Sequence, residues 1–142
     1  MGKLEVGQVL SLRIRFNNTG TISQKRHPYL IVAIDEEFST VEIAQLDSLQ
    51  GKEYKAAMRS NKVIYCDDPQ ETVIDKDSYI QMDNTLKIEL YDGLIHFRRQ
   101  ADKLSTGKLQ DVLFAYKKYH DCYEIDENKQ VYMDKTELEN LQ

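Results

Sequence analysis

From residue 8 to residue 91 the apolar side chains recur at every second position or in short unbroken β-rich runs. Only after residue 104 does a helical spacing take over. Strands first and one helix afterwards exclude the alternating β–α rhythm of a doubly wound domain and call for a small barrel or curled sheet with a helix laid on it. Residues 8–16 set the pattern. Leu10, Leu12, Ile14 and Phe16 point one way while Ser11, Arg13 and Arg15 point the other, so the segment reads as a half-buried strand with guanidinium groups on its wet face. Residues 28–34 are continuously apolar, the mark of a strand buried on both sides, and Pro28 fits only at its first position because it brings no N–H to a ladder. Residues 40–46 alternate again, and shorter β-rich segments follow at 62–66, 78–82 and 86–91. Residues 93–101 fit one or two helical turns. Ser105 is placed to cap a helix over about 105–120, and Lys117, Lys118 and His120 suit the negative end of its dipole. In the tail, residues 123–133 read as a small hairpin around Glu127 and Asn128, and 136–141 as a short terminal helix.

With 142 residues, 30% of them charged and 41% hydrophobic, the chain has the make-up of one soluble globular domain. No apolar run approaches the ~20 residues of a membrane-spanning helix, and the opening residues have no signal-like apolar stretch, so a cytoplasmic protein without membrane contact is expected. Cys66 and Cys122 lack the paired spacing of a disulfide framework or a zinc site, and no metal or cofactor is expected. The charge is uneven. Residues 121–142 set seven acids against Lys129 and Lys135, whereas residues 1–34 set Lys3, Arg13, Arg15, Lys25 and Arg26 against Glu5 alone. A basic end on an acidic protein argues against tight nonspecific nucleic-acid binding but leaves room to hold a few phosphates. The acidic tail reads as a solvated appendage, with folding over the basic face as the sharper alternative.

Three strand ends carry the residues with chemistry. The polar loop 17–27 runs through Asn18, Thr19 and Gly20 and delivers Lys25, Arg26 and His27 directly into the buried strand at Pro28. Arg26 can hold a phosphate through two parallel hydrogen bonds, and an imidazole such as that of His27 exchanges protons near neutrality. Asp47 and Ser48 end the next strand with a carboxylate and a hydroxyl. Gln81, Asp83 and Asn84 end a later one with a carboxylate between amides. Taken singly, each is also an ordinary turn or loop former.

In order, these elements resemble the MazF/PemK/Kid family of toxin endoribonucleases from bacterial toxin–antitoxin systems. The resemblance rests on Gly7-Gln8-Val9 opening the first strand, Arg26-His27-Pro28 leading the buried one, Ser48 ending the third, Asp83-Asn84 later, and Leu104-Ser105 opening the helix. It covers about residues 6–120. The sequence departs from the family in placing His27 directly before the proline with Arg26 one position earlier, Asp47 where the family has Thr, and Gln81 where one branch has Arg. The resemblance implies a mainly β (α+β) fold, an SH3-like small β-barrel of about six strands with a packed C-terminal helix. Residues 1–120 would form this unit, and 121–142 an extension that is not a separate domain. It further implies a homodimer, a cognate antitoxin protein, and metal-independent cleavage of single-stranded RNA (mRNA) through attack by the 2′-hydroxyl, leaving a 2′,3′-cyclic phosphate. In that mapping Arg26, His27, Ser48 and Asp83 are catalytic. Arg13, Arg15, Asn18, Thr19, Lys25, Asp47, Gln81 and Asn84 bind substrate, and Tyr29 or Tyr54 offers a ring for a base. The competing expectation is a barrel of this kind that has lost catalysis and binds RNA or protein.

Overall fold

The computed structural model describes residues 2–142. Its centre is a mainly antiparallel, seven-stranded sheet: β1 (Val9–Leu12), β2 (His27–Asp35), β3 (Thr40–Ser48), β4 (Asn61–Ile64), β5 (Ser78–Gln81), β6 (Thr85–Glu89) and β7 (Gln130–Met133). Two helices follow the sheet's main strands, α1 (Thr106–Cys122) and α2 (Lys135–Leu141). β3 is the hub. One of its edges pairs with β2, and the other pairs with β6 through residues 40–43 and then with β5 through residues 46–48. β1 extends the sheet beyond β2, β4 beyond β5, and β7 beyond β6, so the recorded pairings do not close into a ring.

β2 is buried on both faces from Tyr29 to Val32, as its unbroken apolar run requires. Leu30 and Val32 face a core shared with Ala44, Leu46, Ile80 and the α1 residue Val112, whereas Tyr29 and Ile31 face a second core with Leu10, Leu12, Ile43 and Leu86. A register shift between Ile31 and Ala33 against β3 bends the strand there. The strand opens at His27, one residue earlier than the sequence suggests. Pro28 is tolerated because pairing with β3 begins only at Tyr29, opposite Gln45. Gly7 stands where the chain enters the sheet, at φ +98, and a Cβ there would lie 2.8 Å from Leu109 Cδ2. Glycine alone gives both the backbone angle and the room.

Two expectations change. Regular pairing of the first strand stops at Leu12. Ile14 keeps the alternation and is buried, but Phe16 is 37% exposed beyond the isolated Arg15–Ile22 bridge. The tail forms no hairpin. Residues Glu127–Lys129 make a 3-10 turn, and β7 then runs parallel to β6, pairing Leu86 with Val131 and Ile88 with Met133. Val131, Met133 and Leu138 enter the second core, so the segment is built into the sheet rather than solvated. Ser105 does hold the N-cap position of α1, though its side chain makes no capping bond. No helix among the described residues is long and apolar enough to cross a membrane.

Candidate RNA-binding groove

The sheet face that buries Tyr29 and Ile31 turns polar at one end. Period two puts His27 on that face of β2, and Gln45 lies opposite Tyr29 across the β2–β3 pair. Gln81 is one step beyond Ile80, the partner of Leu46, and so falls beside Gln45. Here an open groove of about 940 Å³ is lined by His27, Tyr29, Gln45, Gln81, Asp83 and Asn84.

Its rim comes from two segments distant in sequence. One is the loop after β1, contributing Phe16, Asn17, Gln24 and Lys25; the other is the turn before β7, contributing Asn128 and Lys129. Despite its polar sequence the loop is ordered by its own bonds. The Thr21 N–H and the Thr19 hydroxyl both donate to Asn17 Oδ1, at 3.0 and 2.8 Å, and Gly20 supplies a positive φ of +91. The two rims are stapled by Asn18. Its backbone N–H donates to the Asn128 carbonyl at 2.8 Å, and its Nδ2 donates to the carbonyls of Glu127 and Gln130 at 2.8 and 2.7 Å. Lys129 Nζ meets Asp83 Oδ2 at 2.9 Å, a bond that raises the lysine's pKa against a smaller opposing effect of burial. Asn84 is 8% exposed, and its buried Oδ1 has no partner.

The groove thus gathers six of the sequence-derived candidates: Lys25, His27, Tyr29, Gln81, Asp83 and Asn84. The others lie elsewhere. Arg26 is not among the lining residues; it points its guanidinium over the Phe97 ring, 5.2 Å from the centroid. Arg15 is taken up by Glu137, at 2.7 Å from Nε and 3.2 Å from its second terminal nitrogen, and by Asn18 Oδ1 at 2.9 Å. Arg13 Nε donates to the Ser23 carbonyl at 3.0 Å. Asn18 and Thr19 act within the rim rather than toward its opening. Tyr29 is 1% exposed, so it forms floor and offers no free ring; Tyr54 is exposed but is not part of the groove.

Asp47 and Ser48 line a separate, smaller groove of about 450 Å³ beside Pro28 and Arg99. Both are engaged locally. Ser48 Oγ accepts the Gln50 N–H at 3.1 Å. Burial pushes the Asp47 carboxyl up, but the Lys52 ammonium at 2.7 Å, the Ser48 N–H at 2.8 Å and the Tyr79 hydroxyl at 3.3 Å together hold it below the usual carboxylate range. A carboxyl with a depressed folded-state pKa stabilises the fold fully above its unfolded value of about 4, and loses that contribution as pH falls through the folded value. Asp47→Asn is therefore expected to flatten the acid side of the stability profile. Urea midpoints taken from about pH 6 down to about pH 2 read this directly.

Asn128 and Lys129 are not among the sequence-derived candidates. Gln45 was accessible from its two-residue step along β3, which puts it on one face with Ile43. Lys129 stands out only as a lone cation after Glu124, Asp126 and Glu127. No group of three or more His, Cys, Asp or Glu side chains among the described residues is arranged to hold a metal ion. No protein-family model matches the chain, and no curated protein matches it.

Proposed function

We propose that the groove binds single-stranded RNA and that the chain is an endoribonuclease toxin acting without a metal. In this reading the sheet is the SH3-like barrel of the MazF/PemK/Kid family, extended by the segment that carries β7 and α2. The observation that carries the reading is that His27 and Asp83, from strand ends remote in sequence, line one groove with Lys25 on its rim. Six amide side chains (Asn17, Gln24, Gln45, Gln81, Asn84 and Asn128) line it as well. Amides offer both donors and acceptors to the edges of unstacked bases, the usual way single-stranded RNA is read. His27 takes the proton of the 2′-hydroxyl, whose oxygen bonds to the adjacent phosphorus. The bond to the 5′-oxygen breaks, and that oxygen leaves with a proton from solvent. Asp83 orients the reacting ribose, and cationic side chains at the rim stabilise the phosphorane.

The test is incubation of the full chain with a long single-stranded RNA in the presence of EDTA. Fragments ending in 2′,3′-cyclic phosphate are expected, with no cutting where 2′-deoxynucleotides replace the ribonucleotides. Equal cutting of the deoxy substrate removes the mechanism. A second reading, RNA binding without cutting, is favoured by one observation: Arg26 lies over Phe97 and leaves the groove without a guanidinium. Retention of the RNA with no fragments would establish it. The toxin reading carries a homodimer, a cognate antitoxin and a cytoplasmic site of action, and it requires growth arrest on induced expression.

A further inference from the structure

A polyanion entering the groove needs cations, and the arginines that the sequence offers for this are occupied. Arg15 bonds Glu137 and Asn18, Arg13 bonds the Ser23 carbonyl, and Arg26 covers Phe97. The lining retains two full cations, Lys25 and Lys129. Lys129 is much the better placed. Its 3-10 turn is closed by Asp126, whose Oδ1 accepts the Asn128 N–H at 2.9 Å and whose carbonyl accepts the Lys129 N–H at 2.8 Å. The three hydrogen bonds of Asn18 lock the same turn to the opposite rim. The ammonium spends one donor on Asp83 Oδ2 at 2.9 Å, and its other two have no protein partner among the described residues. The side chain is 46% exposed and lines the groove.

We propose that Lys129, from the C-terminal segment, is the phosphate-binding cation of the groove, held by Asp83 in position to receive one backbone phosphate of a bound RNA strand. This rests on the reading of the groove as an RNA site. Neutralising Asp83 is part of the same arrangement, because a bare carboxylate on the floor would repel the phosphate that Lys129 receives. The turn from 126 to 129 is then a working wall of the site and not an acidic shield over it.

The experiment measures binding of the full chain to a labelled single-stranded 2′-O-methyl oligonucleotide of randomised sequence, which cannot undergo 2′-attack, by fluorescence anisotropy over a salt series. Lys129→Ala is expected to weaken binding about tenfold at low salt and to reduce the slope of log K against log salt by about 0.7, the loss of one single-strand phosphate contact. Lys129→Arg is expected to keep the slope. The double variant Lys129→Ala with Asp83→Asn is expected to stay weak, with the reduced slope. If that double variant regains the wild-type affinity and slope, Lys129 only screens Asp83 and the proposal is overturned. It is overturned equally if Lys129→Ala alone changes nothing while Lys25→Ala weakens binding. Failure of the wild-type chain to bind the probe at all brings down the RNA reading itself.

Discussion

Replacing His27 with alanine is expected to lower the rate of RNA cleavage by about 10²- to 10⁴-fold, the usual contribution of a positioned proton-transfer group. Affinity for the 2′-O-methyl probe should change by less than about threefold, because cationic and amide contacts carry the binding. The separation follows from where the residue sits. His27 opens β2 opposite Leu12, half-buried on the face that becomes the groove, so its backbone is fixed by the ladder while its ring reaches the opening. The strand keeps this pairing without the imidazole, and the melting temperature should hold. His27→Gln sharpens the test: it preserves a polar group of similar reach but cannot exchange a proton at neutral pH, so it should fail as fully as alanine. A loss smaller than tenfold with either variant would remove His27 from the chemistry. Arg26→Ala serves as the contrast. With its guanidinium over Phe97 it should reduce cleavage far less than His27→Ala does.

That contrast also marks how far the sequence could be read. The motif Arg26-His27-Pro28 was legible as a rigid delivery point, and alternation on a strand sends neighbouring side chains to opposite faces. Which of the two would face the groove depended on the register of β2 against β1 and β3, which no single segment encodes. The same limit applies to Asp47. Its strand was plain from the alternation of Val41, Ile43 and the residues that follow, but its partners Lys52 and Tyr79 arrive from a turn and from another strand. The tail is the clearest case. Val131 and Met133 alternate with exposed residues, so a strand there was readable. The expected hairpin assumed a local partner, whereas β7 pairs in parallel with β6, forty-five residues back in the chain. Parallel neighbours are joined by long connections and leave no turn signature beside the strand. The staple from Asn18 to residues 127–130 follows from that pairing and was equally out of reach. The two-faced burial of β2 was readable because it depends only on composition within the strand.

Leu138→Ala is expected to destabilise the protein by about 3 kcal/mol, the middle of the range for emptying a closed leucine site. On a chain of this size that corresponds to a fall in melting temperature of about 10 °C. Leu138 is fully buried among Val131, Met133, Leu86 and Ile88, on a helix of only seven residues that packing must hold in place. The polar contacts of the same helix make the comparison. Glu137 bonds Arg15, but with 20% and 39% of the two side chains exposed the pair is partly solvated, so Glu137→Gln should cost no more than about 1 kcal/mol. If the tail were an acidic appendage attracted to basic side chains, the order would reverse: Glu137→Gln would loosen it, high salt would imitate that loss, and Leu138→Ala would melt within about 2 °C of the wild type. Thermal melts of both variants at low and high salt therefore decide between a segment held by charge and one held by its core. Because β7 carries the groove wall into the sheet, the leucine variant should also weaken probe binding as it approaches its transition, before the rest of the chain unfolds.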